Sequence, residues 1–194
     1  MGKLFCVMGK SSSGKDTLYQ MLQAELKFDV IVPYTTRPIR EGETEGVEYH
    51  FVTEQRVAEL EAAGKVIEIR AYDTVHGVWK YLTVDDEQMD FTKKNYLMIG
   101  TLEAYQKLKA YYGEEHLVPI YIEVEDGIRL QRALNRERQQ EQPKYAELCR
   151  RFLADEADFS EEKLAAAGIN KRFVNDTLEH TKQELVNYIQ SCIG

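Results

Sequence analysis

The residues best suited to chemistry crowd the amino end. Gly9-Lys10-Ser11-Ser12-Ser13-Gly14-Lys15-Asp16-Thr17 follows the apolar run Leu4-Phe5-Cys6-Val7-Met8 and leads into a stretch of helical periodicity. Glycine, four residues, then glycine and lysine between a strand and a helix is the phosphate-loop pattern. Its glycines let backbone N–H groups between Ser11 and Thr17 converge on phosphate oxygens, and the helix adds its positive N-terminal end. Lys15 is placed to reach the β- and γ-phosphates, which makes ATP the expected co-substrate. Asp16 stands where a Ser or Thr hydroxyl should touch Mg²⁺. A carboxylate can ligate that ion directly or through water, because hard cations prefer oxygen. Thr17 can instead supply the missing hydroxyl, so Asp16 and Thr17 are the candidate metal ligands.

A second cluster follows. Arg37 and Arg40 precede the turn-forming Gly42 and Gly46, and then Tyr49. Two guanidinium forks and a phenol make a good clamp for a monophosphate, geometrically better than lysines. Surface pairing of the same arginines with Glu41 and Glu43 is the competing reading. A third group lies in the charged helical stretch 128–165, broken near Gln140–Pro143. Such a run is ordinarily a solvated face.

Strand-like runs at 3–8, about 28–34, 66–72, 95–100 and 117–124 must position these groups. Several lack polar alternation, as strands buried on both faces of a parallel sheet do. Helical patterns fall at 15–26, 102–112 and 177–192, so the expected fold is a three-layer α/β structure with a parallel central sheet. Residues 47–83 depart from the rhythm, with short strand-like pieces around a helix at 54–63, the composition of a small inserted subdomain.

The 194 residues suit one domain with a real core. A net charge of -8 argues against nucleic-acid partners. No apolar stretch approaches the ~18 residues that span a bilayer, so no membrane partner is expected. Three cysteines without metal-type spacing suit a reducing cytoplasm, and the early first strand leaves no room for a signal peptide. His50 and His76 are isolated and read as structural or surface residues.

The segment "PYTTRPIREGETEGVEYHF" (33–51), taken with the phosphate loop, resembles the guanylate kinase family. The likeness continues through "EAAGKVIEI" (61–69), the arginine-bearing helices at 129–152 and "FVND" (173–176). It implies a P-loop kinase fold in a single domain, with core segments 1–33, 84–127 and 166–194, an acceptor-binding subdomain at about 34–83 and a lid at about 128–165. It also implies ATP-dependent phosphoryl transfer to a nucleoside monophosphate, GMP first, with Mg²⁺. By that resemblance Arg37, Arg40, Tyr49 and Tyr81 hold the acceptor phosphate, assisted by Thr83, and Glu68 reads the base. Arg132, Arg136 and Arg151 close over the triphosphate, and Asn175 approaches the adenine. Homodimerisation is left open.

Three positions depart from the family pattern. Pro33 replaces a serine that contacts guanine, and Met98 and Gly100 stand where two aspartates are expected. Some of these points resemble a relative, ribose bisphosphate phosphokinase, so another phosphomonoester is the alternative acceptor. A non-catalytic protein-binding module is a third reading, against which the retained Lys15, glycines and lid arginines count.

Overall fold

The protein is described by a computed structural model covering residues 2–74, 77–92 and 94–193; His76 lies outside these. Nine strands and seven helices alternate along the described chain: β1 (Leu4–Met8), α1 (Lys15–Leu26), β2 (Asp29–Val30), β3 (Tyr34–Thr35), β4 (His50–Phe51), α2 (Glu54–Ala62), β5 (Val66–Thr74), β6 (Gly77–Val84), β7 (Tyr96–Ile99), α3 (Leu102–Tyr112), β8 (Leu117–Glu123), α4 (Asp126–Arg138), α5 (Tyr145–Asp158), α6 (Glu161–Ala166), β9 (Arg172–Val174) and α7 (Leu178–Ile193).

The central sheet runs β2-β7-β1-β8-β9, and every pairing is parallel. β1 shows why its sequence lacks alternation. Leu4, Cys6 and Met8 face one core with Leu102, Tyr105 and Leu108 of α3. Phe5 and Val7 face the opposite core with Leu18 and Leu22 of α1 and Leu185 and Ile189 of α7. Both faces are dry, so both must be apolar. Burial pushes the Cys6 thiol up to about 12, which makes it a small apolar side chain rather than a nucleophile.

The second sheet, ordered β4-β3-β6-β5, is mixed, and α2 closes one of its faces with Val57 and Leu60 against Leu82 and Val84. The apolar run at 28–34 reads as one strand but is two. Asp29–Val30 pairs with β7 in the central sheet, and Tyr34–Thr35 belongs to the second. Pro33 between them has no N–H for a ladder, and the Val32 N–H goes to the Gln88 side chain at 3.1 Å. The chain therefore changes sheets there. No described helix is long and apolar enough to cross a membrane.

Candidate active site

The loop between β1 and α1 is fitted to its surroundings by its glycines. A Cβ on Gly14 would lie 2.4 Å from Asn175 Nδ2, and its φ of +84° is left-handed. A Cβ on Gly9 would lie 2.5 Å from the Ile122 carbonyl oxygen. Asn175 itself is buried at the end of β9, where Nδ2 donates to the Ser13 carbonyl at 2.8 Å and Oδ1 accepts from Thr181 at 3.3 Å. Its amide thus braces the loop. Ser13 Oγ is buried and makes no hydrogen bond among the described residues. The Lys15 ammonium sits 3.3 Å from the exposed Asp16 carboxylate at the start of α1.

A cleft of about 460 Å³ opens beside this loop, lined by Ser12, Gly14, Asp16, Thr17, Asn175 and Leu178, and roofed by Arg132 and Arg136 of α4. Arg132 Nη1 lies 3.5 Å from the Ser12 carbonyl, and Arg136 Nη2 lies 3.4 Å from the Ser12 hydroxyl. The size is that of ordinary ligand sites. Arg151 is not brought to this cleft. It lies 3.6 Å from Glu147 and lines a small cavity between α4 and α5, together with Arg136 and Ser11.

One residue the sequence did not single out organises the junction of the loop with α4 and α5. Arg129 is 1 % exposed and donates to the Ser11 carbonyl at 3.1 Å, to Asp126 at 2.7 Å and to Glu156 at 2.7 Å. Asp155 accepts the Ser11 N–H at 2.8 Å, and Lys10 donates to Glu156 at 2.7 Å. The spacing of Asp126 and Arg129 hinted at a helical pair. Contacts with Ser11 and Glu156 carried no such signal, because they are long-range.

The open face of the second sheet carries the other cluster. Register places Glu68 opposite Thr83 and Arg70 opposite Tyr81, so period-two alternation puts all four on one face. At one end Arg37 is 4 % exposed, with its guanidinium 5.0 Å from the Tyr49 ring centre. Tyr49 meets Tyr81 edge-on at 5.6 Å. Arg40 is exposed at the rim, and its backbone N–H donates to Glu43 at 2.8 Å. At the other end Glu68 is 2 % exposed and accepts the Thr83 hydroxyl at 2.8 Å and Arg70 Nε at 2.9 Å. Burial opposes the charge of Arg70, but the Glu68 carboxylate outweighs it and holds the guanidinium above its usual range. His50 pairs with Glu45 at 3.0 Å and packs against Tyr34 with its ring tilted by 41°.

Arg37 is forked onto Glu43, with Nη1 2.7 Å from Oε2 and Nη2 2.5 Å from Oε1. This is the arginine–glutamate pairing weighed above, found here on a buried guanidinium rather than a surface one. The hydrogen bonds from Arg37 hold Glu43 far below the ordinary carboxylate value, at about 2. A depressed folded value means that the pair stabilises the fold in full above the ordinary value near 4.5, and the contribution fades as pH falls toward 2. Glu43→Gln should therefore lower the urea midpoint at neutral pH, followed by fluorescence of Trp79, the only tryptophan. The difference from wild type should shrink in acid; a gap that stays constant down to about pH 2 would contradict the linkage.

A parallel sheet delivering a glycine-rich loop to a helix N-terminus, with arginines above it and a second sheet bearing a buried arginine and glutamate, defines a P-loop phosphotransferase. A model of the family described as guanylate kinase matches residues 1–192. The chain belongs to the guanylate kinase family. It is 29% identical over 201 residues to a guanylate kinase of Methylobacillus flagellatus, covering 98% of this chain and 89% of that one. A guanylate kinase of Nitrosococcus oceani is 40% identical over 68 residues, 34% of each chain. The crystal structure of guanylate kinase from Anaplasma phagocytophilum superposes with a TM-score of 0.63 at 22% identity, over 98% of this chain and 85% of that chain, and shares the fold.

Proposed function

We propose that the protein transfers the γ-phosphoryl group of Mg·ATP to the phosphate of GMP. The observation that carries this reading is the open face of the second sheet. A cationic fork at Arg37 and a buried carboxylate at Glu68 occupy opposite ends of one strip, joined by Tyr49 and Tyr81. A nucleoside monophosphate carries its anion and its base at opposite ends in the same way. Names of the family's relatives support the same acceptor.

The geometry supports one division of labour. Lys15 and the backbone of residues 11–17 cradle the ATP phosphates, with Asn175 holding the cradle in shape. Arg132 and Arg136 neutralise charge spread over the transferring group, and Arg151 joins them only if α4 and α5 move. Arg37, Arg40, Tyr49 and Tyr81 grip the acceptor phosphate while Glu68 and Thr83 meet its base. For phosphate to reach Arg37, Glu43 must share or yield the fork. Asp16 and Thr17 present oxygen donors of the kind Mg²⁺ prefers. Asp16 or Thr17 would hold the ion, and the described residues form no cluster of three or more acidic, His or Cys ligands elsewhere. When bound, Mg²⁺ would supply positive charge that neutralises the phosphates during transfer.

A steady-state assay with ATP, Mg²⁺ and, in turn, GMP, AMP and ribose bisphosphate tests the reading. GMP should be turned over with the highest kcat/KM. Turnover of the sugar bisphosphate without turnover of GMP would replace the acceptor, and failure to bind Mg·ATP by calorimetry would remove the enzymatic reading altogether.

A further inference from the structure

The Glu68 carboxylate does not wait alone for a base. Arg70 lies two residues along β5 on the same face and folds back on it, with Nε 2.9 Å from Oε2 and Nη2 3.3 Å from Oε1. Thr83 takes a further direction on Oε1 at 2.8 Å. A carboxylate has about four acceptor directions, so Glu68 keeps too few to take both an N1–H and a 2-amino group while Arg70 stays in place. The guanidinium has the opposite surplus. It carries five N–H donors, more than Glu68, the Thr101 hydroxyl at 3.4 Å from Nη1 and the neighbouring Tyr72 take up.

Met98 and Gly100 set no carboxylate behind this pair. Met98 is 4% exposed, inside the core. A Cβ on Gly100 would lie 3.2 Å from Cys6 Sγ and 3.5 Å from Met98 Cε, so a longer side chain there would press on the buried Cys6 sulfur. The polar side chains gathered around Glu68 here include Arg70, Thr83 and Thr101, with Tyr72 beside the Arg70 guanidinium.

We infer that Arg70 is a specificity-determining residue: the Glu68–Arg70 pair presents an acceptor beside a donor and reads the lactam edge of a 6-oxopurine monophosphate, with Arg70 donating to O6 and Glu68 accepting N1–H. The inference rests on the nucleoside monophosphate reading above and refines it. Guanine and hypoxanthine both carry that edge. Adenine inverts it, setting a 6-amino donor against the guanidinium and an unprotonated N1 against the carboxylate. The 2-amino group of guanine is left with little to bind. GMP and IMP should therefore be used within about tenfold of each other, and AMP should fall behind by a factor on the order of 10⁴, the discrimination that a site built from unpaired buried polar groups achieves.

The test compares kcat/KM for GMP, IMP and AMP in wild type and in Arg70→Met. The variant should lose roughly 10²-fold with GMP and with IMP, change little with AMP, and bind Mg·ATP as wild type does. An equal loss on all three acceptors, or an unchanged GMP-to-AMP ratio, would overturn the role of Arg70 while leaving the kinase reading in place. If Arg70→Met does not fold, the wild type decides alone. The monophosphate of 6-thioguanosine, which keeps N1–H but puts a weakly accepting sulfur in place of O6, should be used at least ~10-fold less well than GMP; equal use refutes the inference. Failure of wild type to phosphorylate any nucleoside monophosphate would overturn the acceptor reading above, and this refinement with it.

Discussion

Lys15→Met is expected to lower kcat by about 10³-fold, the upper end of what removing one preorganised donor from a developing charge costs. The lysine begins α1, where the loop N–H groups and the helix end already favour an anion, and the cleft beside it is lined by Asp16 and Thr17 and roofed by Arg132 and Arg136. In the free protein its ammonium faces Asp16 at 3.3 Å, with the carboxylate largely exposed. A pair so open to solvent contributes at most about 1 kcal/mol to stability, so the thermal midpoint should hardly move. Methionine keeps most of the aliphatic stem, leaving the charge as the main loss. The measurement is single-turnover phosphoryl transfer beside a thermal melt. A rate within tenfold of wild type would mean that the ammonium does not meet the transferred group.

Arg129→Met should act on the other side of the balance, by destabilising the fold. The guanidinium is 1 % exposed and holds the Ser11 carbonyl, Asp126 and Glu156 together, with Phe152 against its flat face at 4.8 Å. Removing one partner of a buried ionic network costs about 3–5 kcal/mol, because the remaining charges are left uncompensated. Here Asp126 and Glu156 are partly solvated and Lys10 remains beside them, so the lower figure, about 3 kcal/mol, is expected. At roughly 2–4 °C per kcal/mol for a chain of this length, the melting midpoint should drop by about 6–12 °C. Transfer should slow as well, since Arg129 fixes the Ser11 carbonyl and the same network caps the Ser11 N–H with Asp155. Urea denaturation measures the first effect. A loss under about 1 kcal/mol would show that the network is no stronger than a surface cluster.

Nucleotide binding itself should couple these two sites. Asp155 occupies a loop N–H, and Glu43 occupies the Arg37 fork. Each carboxylate stands where an incoming phosphate would compete for the same donor.

Much of the fold was written in local pattern. Alternation of apolar strand and amphipathic helix specified the layers, because each element has to bury a face and only a few arrangements bury them all. The run at 28–34 misled because hydrophobicity says that a segment is buried but not in which sheet; Pro33 alone carried the break. The loop at 9–15 was legible because its function resides in backbone geometry that glycine spacing encodes. Arg129 and Arg70 were not, since a charged residue in a charged helix or on a strand looks the same whether it faces water or a partner.

The chain's own order of residues determined the loop, the layered class and the kinase family, since those depend on near neighbours: periodicity, turn residues and the spacing of glycines. Only the assembled tertiary structure decided which charges face which. It put Glu43 on Arg37, Arg70 on Glu68, and Arg129 between the loop and the helices above it. The reason is physical: an ionic group declares its role by its partner and its exposure, and even where the partner is near in sequence, as for Arg37 and Arg70, the exposure is set only when the sheets and helices pack.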